Sequence, residues 1–328
     1  MSAQSPFRIV FLDRGTLDMG DVDFSPLGAL GTFRSTDTTD GADLDQLASH
    51  AGDAEAIVVN KVHIGADALD RMPRIRHVAV IATGVNNVDL DAARSREVAV
   101  TNVPGYARFA VPQHAFALIL DLAGRVHRYA RDVETGDWAA ASSFTLLRYP
   151  TLELAGKTLG IVGWGATARA MARIAEGFGM RVLVWNRRPV EAPPHRVVGF
   201  ETLLEESDVV SIHVPLADTT RGLFGADELR RMKRSALLVN TARGGIVDET
   251  ALVAALEAGT IAGAGLDVLE EEPPRSSTLP ARAAAGDLNL IITPHSAWSA
   301  VEARQRLVNE VAENLAAWRR GERRNRVV

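Results

Sequence analysis

Apolar runs of four to six residues recur along the chain, separated by longer stretches in which apolar positions return at helical spacing. Arg8–Leu12, Ala56–Val59, His77–Ile81 and Val98–Thr101 read as strands of a first group. Thr158–Val162, Met180–Trp185, Asp208–Ile212, Ala236–Asn240, Gly263–Val268 and Leu288–Ile292 read as strands of a second. Helical spacing is found over Asp43–His50, Ala66–Arg71, Phe109–Glu134, Thr167–Phe178 and Ser299–Arg319, and Val88-Asp89-Leu90 opens one more helix. Residues 13–42 show no clear period, and 135–150 read as an irregular arm. Strands alternating with helices predict parallel sheets. Asn102-Val103-Pro104-Gly105 breaks both element types and marks a crossing between domains. The expected fold class is therefore α/β with two parallel-sheet domains: residues 1–102 with 297–328 form one, and 103–296 form another inserted into it.

One stretch carries more than periodicity. Thr158–Val162 is followed at once by Gly163 and Gly165, then by a helix and by the strand Met180–Trp185. Strand, glycine turn, helix and strand within about 30 residues is the context a dinucleotide fingerprint requires. Gly163 permits the tight turn, and Gly165 has no side chain to hold a pyrophosphate away from the backbone. The N–H groups of Ala166 and Thr167 open a helix whose positive end suits an anion. Ala168 takes the third fingerprint position in place of glycine. At the end of the second strand an NAD site places Asp or Glu on the ribose. This chain has Asn186, Arg187 and Arg188 there, with no carboxylate to repel a 2′-phosphate and two guanidiniums to bind one, so NADP is the expected cofactor and NAD the alternative.

Composition narrows the class. The chain has 328 residues, 47% apolar and 23% charged, long enough for two domains. A net charge of −5 gives no case for nucleic-acid binding, and the absence of cysteine excludes disulfides, thiol nucleophiles and Cys-ligated metals. No metal site is expected. The N-terminal residues show no secretory leader, and no apolar run is long enough to span a bilayer, so a cytoplasmic protein without membrane partners is expected.

Three polar groups stand just past strand ends in the second half, where open α/β sheets bind ligands: Arg243, Glu272 and His295. A histidine titrates near neutral pH and suits proton exchange with a carbonyl or hydroxyl oxygen. A carboxylate beside it favours the imidazolium, and Glu270, Glu271 and Glu272 are all candidates. Arg243 offers a bidentate grip on a substrate carboxylate.

Taken in order, ATGVNNVDLDAA (82–93), VAVTNVPGY (98–106), GKTLGIVGWG (156–165), SIHVPLADTTRGL (211–223), LLVNTARGGIVDE (237–249), AGLDVLEEEPP (264–274) and ITPHSAW (292–298) resemble the D-isomer-specific 2-hydroxyacid dehydrogenases over nearly the whole chain. Within that family the hydroxypyruvate and glyoxylate reductases, also called glycerate dehydrogenases, are most similar. The family's catalytic Arg, Glu and His fall on Arg243, Glu272 (the residue before Pro273) and His295. The resemblance implies a flavodoxin-like substrate domain, an inserted Rossmann cofactor domain and a homodimer. It implies reduction of a small 2-oxo acid to a D-2-hydroxy acid, with Arg243 and the N–H groups of Thr83 and Gly84 on the substrate carboxylate. Val214, Pro215, Thr241, Ala242 and Asp267 are implied along the cofactor, with Asp267 near the nicotinamide carboxamide and His295 at its reacting end. Asn60, Lys61 and Trp298 are candidates for shaping the substrate pocket, with Trp138 reaching in from a partner subunit. Two other readings stay open: a nucleotide-sensing, corepressor-like binding protein, and a phosphite dehydrogenase.

Overall fold

The computed structural model describes residues 6–328; residues 1–5, the start of the stretch read for a leader, lie outside the described residues. The chain divides into two compact units, one made of the residues up to Tyr106 with Ser299–Val328, the other of Ala107–Trp298.

The first unit contains strands β1 (Arg8–Phe11), β2 (Thr32–Ser35), β3 (Ala56–Val59), β4 (His77–Val80) and β5 (Ala99–Thr101). Helices α1 (Ser25–Gly28), α2 (Leu44–Ala51), α3 (Ala66–Arg71) and α4 (Leu90–Ser95) connect them. Every pairing is parallel and the order is β2-β1-β3-β4-β5, the flavodoxin-like order. β3 and β4 are buried along their whole length, as strands covered on both faces must be. Helix starts are set locally: the Asp43 carboxylate accepts the N–H groups of Asp45 and Gln46, and Asp89 does the same for Asp91 and Ala92. β2 falls in the stretch without a readable period. It is an edge strand with no fully buried residue, so it carries no apolar run.

The second unit holds α5 (Ala110–Gly124), α6 (Val126–Glu134), β6 (Thr158–Val162), α7 (Ala166–Gly177), β7 (Arg181–Trp185), β8 (Arg196–Val197), α8 (Phe200–Glu206) and β9 (Val209–Ile212). It continues through α9 (Ala226–Arg231), β10 (Leu237–Asn240), α10 (Glu249–Glu257), β11 (Gly263–Leu266), α11 (Leu279–Ala285) and β12 (Leu290–Ile292). Its sheet is also fully parallel, in the order β12-β11-β10-β9-β6-β7-β8. The order reverses between β6 and β9, which is where doubly wound sheets open a crevice at their carboxyl ends. Alternate residues feed opposite faces: Leu237 and Val239 join Ile119 and Met171 on one side, while Leu238 joins Leu203 and Leu252 on the other. The two parallel-sheet architecture expected from the sequence is thus present.

The long helix expected over Phe109–Glu134 is two helices. Arg125 adopts φ +55°, and its N–H donates to the Asp121 carbonyl at 2.7 Å, closing α5 before α6 begins. Apolar spacing runs on through this residue, so a left-handed arginine leaves no mark in the pattern.

The last helix, α12 (Val301–Arg319), belongs to the first unit and lays Trp318 edge-on against His77, centroids 5.1 Å apart. His77 is fully buried, and one ring nitrogen shares a 2.8 Å hydrogen bond with Thr101. Burial, with a smaller effect of Arg326, pushes its pKa down to about 3. The folded chain thus refuses a proton that the unfolded chain accepts near pH 6.5. Stability from this group is complete above that pH and falls by about 1.4 kcal/mol per pH unit below it, until the folded-state value of about 3 is reached. Between pH values of about 7 and about 5, His77→Gln is expected to lose about 2 kcal/mol less stability than the parent in urea unfolding. Equal losses in the two proteins would refute the assignment.

Candidate active site

The glycine turn stands at the point where the strand order of the second sheet reverses. Gly163 follows β6 with φ +98°, and a Cβ there would lie 2.7 Å from the His213 carbonyl oxygen, so only glycine fits. Gly165 differs: a Cβ would meet no atom within 4 Å, leaving open space directly before α7. α7 starts at Ala166 and Thr167 without a side-chain cap, so its first-turn N–H groups are available to an anion at the positive end of the helix. Asn186 holds the turn, since its Oδ1 accepts the Trp164 N–H at 3.2 Å and its Nδ2 donates to the Arg188 carbonyl at 2.9 Å. The Arg187 guanidinium donates to Thr219 Oγ1 at 2.6 Å. Arg187 and Arg188 are exposed, and neither pairs with a carboxylate among the described residues. Across the reversal point, Val214 is buried, and Pro215 accepts the Thr220 hydroxyl at 2.7 Å. Desolvation pushes His213 down to about 4, so this imidazole adds no charge beside the turn at neutral pH. Past β10, the buried Thr241 hydroxyl has no hydrogen-bond partner among the described residues. An uncapped helix, an open glycine position and an orphaned hydroxyl, with two exposed arginines near the turn, fit a dinucleotide.

The three expected polar groups follow β10, β11 and β12. Asn240 ends β10 buried, donating from Nδ2 to the Arg243 carbonyl at 2.8 Å and accepting the Ala242 N–H at 3.0 Å. That small ring of bonds turns the chain so that Arg243 is exposed and pairs with no carboxylate among the described residues. At Gly244 a Cβ would sit 1.8 Å from the Leu269 carbonyl oxygen. The loop after β10 therefore packs backbone to backbone on the loop after β11, which carries Glu272.

Glu272 is fixed at one oxygen, Oε1, by the Leu269 N–H at 2.9 Å, and its Oε2 lies 2.6 Å from His295 Nδ1. An ionised carboxylate only accepts, so Nδ1 carries the hydrogen and Nε2 is the nitrogen free to work. His295 itself holds φ +52°, an unfavourable value for a residue with a side chain. Its N–H donates to the Asp267 carbonyl at 2.8 Å. The Asp267 carboxylate, 1% exposed, receives the Thr293 hydroxyl at 2.6 Å and the N–H groups of Ser296 and Ala297, each at 2.9 Å. The family resemblance implies this side chain near the nicotinamide carboxamide. The structure spends three of its roughly four acceptor positions on the 293–297 loop, leaving one on Oδ2. Trp298, half-buried, ends this loop.

Thr83 and Gly84 lie in the first unit at the turn after β4, where the Thr83 hydroxyl donates to the Val103 carbonyl at 2.9 Å and its own carbonyl accepts from Asn102 at 2.7 Å. Asn240, Gly244, Thr293 and His213 are structural parts of the site that the sequence reading did not single out. A polar residue closing an otherwise apolar strand, as Asn240 does in LLVN, was the one available signal.

The second unit thus carries both a glycine turn opening an uncapped helix and an imidazole paired with a carboxylate past its strand ends. Residues 116–297 match the family model described as D-isomer specific 2-hydroxyacid dehydrogenase, NAD binding domain. The chain is 40% identical to a glycerate dehydrogenase of Methylorubrum extorquens, over 97% of this chain and 98% of that one. It is 35% identical to a hydroxypyruvate reductase of Blautia hydrogenotrophica, over 96% and 97%. A crystal structure of a Thermus thermophilus protein superposes with a TM-score of 0.84 at 35% identity, covering 98% of this chain and all of that one. The chain belongs to the D-isomer-specific 2-hydroxyacid dehydrogenase family, oxidoreductases served by a nicotinamide cofactor.

The glycines separate packing from binding. Gly165→Ala is expected to keep the parent Tm within about 1 °C while weakening dinucleotide binding at least about tenfold, because its methyl fills space no protein atom uses. Gly244→Ala must displace the Leu269 backbone and is expected to lower Tm by several degrees, at a cost of about 1–3 kcal/mol. Thermal unfolding with cofactor titration checks both; a destabilised Gly165→Ala or an undisturbed Gly244→Ala would refute the packing argument.

Proposed function

We propose that this enzyme reduces a small 2-oxo acid, hydroxypyruvate or glyoxylate, to its D-2-hydroxy acid and draws on NADPH in preference to NADH. The 2.6 Å bond between His295 Nδ1 and Glu272 Oε2 carries the reading, because it leaves Nε2 to donate a proton. The nicotinamide, when bound, supplies the hydride. His295, as imidazolium, gives its Nε2 proton to the oxygen of the 2-oxo group as negative charge develops there, and Glu272 compensates the charge on the ring. In the reverse direction neutral His295 takes the proton from the 2-hydroxyl. Arg243, with no carboxylate partner among the described residues, binds the substrate carboxylate and polarises the 2-oxo group. Thr83 and Gly84 are proposed to bind the same carboxylate through their N–H groups, with Asn60, Lys61 and Trp298 shaping acceptance. The substrate pair is supported by the names of the relatives, glycerate dehydrogenase and hydroxypyruvate reductase.

Gly163, Gly165, Ala166 and Thr167 are proposed for the pyrophosphate, with Val214, Pro215, Thr241, Ala242 and Asp267 along the rest of the cofactor. The preference for NADPH is supported by Arg187 and Arg188 standing without carboxylate partners among the described residues, where an acidic residue would repel the 2′-phosphate. A homodimer through the second unit is supported by Phe144 and Leu147, each 90% exposed on the 135–150 arm near Trp138. An apolar groove of about 600 Å³ lined by Phe109, Phe116, Leu120 and Ile174 adds to it. No helix among the described residues is long and apolar enough to cross a membrane.

Initial rates with hydroxypyruvate and glyoxylate, each with NADPH and NADH, test the proposal. Turnover is expected with both acids, with kcat/KM higher for NADPH, and His295→Ala is expected to lower kcat by roughly 10²–10⁴. Equal or better rates with NADH would overturn the cofactor preference alone. Cofactor binding without turnover of either acid would overturn the reaction and favour the nucleotide-sensing alternative. Sedimentation showing a monomer at micromolar concentration would overturn the dimer.

A further inference from the structure

His295 owes its position to a chain of bonds that ends on a different element. On α5, His114 Nε2 lies 2.9 Å from Thr293 Oγ1, which lies 2.6 Å from Asp267 Oδ1. An ionised carboxylate only accepts, so the Thr293 hydroxyl points its hydrogen into Asp267, whose Oδ1 also takes the Ser296 N–H. A hydroxyl that donates there accepts from its other neighbour, which requires the hydrogen of His114 to sit on Nε2. His114 is three-quarters buried, and the same nitrogen is 3.5 Å from Asp267 Oδ1. The imidazole thus fixes the rotor of Thr293, Thr293 fills one acceptor of Asp267, and Asp267 holds the two residues that follow His295.

We infer that His114 is a positioning residue for His295, acting through Thr293 and Asp267 to keep the 293–297 loop in its folded form. His295 sits at φ +52°, a conformation that persists only while its surroundings over-determine it. Loss of the His114 hydrogen bond frees the Thr293 hydroxyl to turn away, removes one of the three donors to a buried carboxylate and loosens the backbone that carries His295. Glutamine can return a donor N–H to the place of Nε2; leucine fills the volume and returns none. That His295 is the proton donor rests on the function proposed above; that His114 holds the loop does not.

The experiment compares His114→Leu, His114→Gln, Thr293→Val and the double variant His114→Leu/Thr293→Val. In the protein without cofactor, amide hydrogen exchange of the 293–298 segment is read by mass spectrometry. Exchange is expected to rise about tenfold in His114→Leu and to stay within about twofold of the parent in His114→Gln. With cofactor and a 2-oxo acid, kcat is expected to fall about tenfold in the leucine variant, with the cofactor Kd changed by less than about twofold, and to be restored by glutamine. In the Thr293→Val background the leucine substitution is expected to add nothing, since the link is already cut. Parent-like exchange and kcat in His114→Leu, a glutamine variant as disturbed as leucine, or full additivity in the double variant would each overturn the inference. A parent protein that turns over no 2-oxo acid would sink the proposed function and leave the exchange result to stand or fall alone.

Discussion

A carboxylate with 1% of its surface exposed has to be satisfied from inside the protein, and the three hydrogen bonds that Asp267 accepts all come from a single loop. A buried charge left unpaired costs several kcal/mol, so the chain after β12 folds back until three donors reach it. That return fixes the backbone on both sides of His295 and accounts for its left-handed φ. With the backbone set, the imidazole meets Glu272, whose other oxygen is tied to the Leu269 N–H. The geometry of the site is thus a consequence of how one buried aspartate is hydrogen-bonded.

The first unit repeats the device. Asp13, 2% exposed, stands two residues past β1 and accepts the N–H groups of Asn60, Lys61 and Val62, the loop after the neighbouring strand β3. Asn60 adds a bond from Nδ2 to the Thr16 hydroxyl at 2.9 Å. In a parallel sheet the loops leaving neighbouring strands emerge side by side with backbone N–H groups that lack ladder partners. A short acidic side chain just past one strand supplies acceptors to the next loop, and makes both rigid.

What the sequence disclosed follows from which interactions are local. Val209–Ile212 and Leu237–Asn240 are legible because strands covered on both faces are continuous apolar runs. Thr32–Ser35 is not, because an edge strand needs no such run, and the break at Arg125 is a single backbone angle beneath uninterrupted spacing. Arg243, Glu272 and His295 were visible as polar groups past strand ends and as family motifs. The partnership of Glu272 with His295, 23 residues apart, depends on β11 and β12 lying side by side, which spacing does not encode. Asn186 was read for the absence of a carboxylate, whereas its side chain also ties down the glycine turn at Trp164. His114 and Thr293 meet across 179 residues of chain, so neither could be recognised from its own neighbourhood.

The central claim is that Glu272 commits His295 to one tautomer, leaving Nε2 as the nitrogen that exchanges the proton. Imidazole ¹⁵N chemical shifts measure this directly in the cofactor-free protein, at a pH where the ring is neutral, with His295→Gln to identify the signal. The account predicts hydrogen on Nδ1 and a bare Nε2. A ring carrying its hydrogen on Nε2 would contradict it, because the nitrogen facing Glu272 would then have no proton to give and the bond that orders the site would not exist.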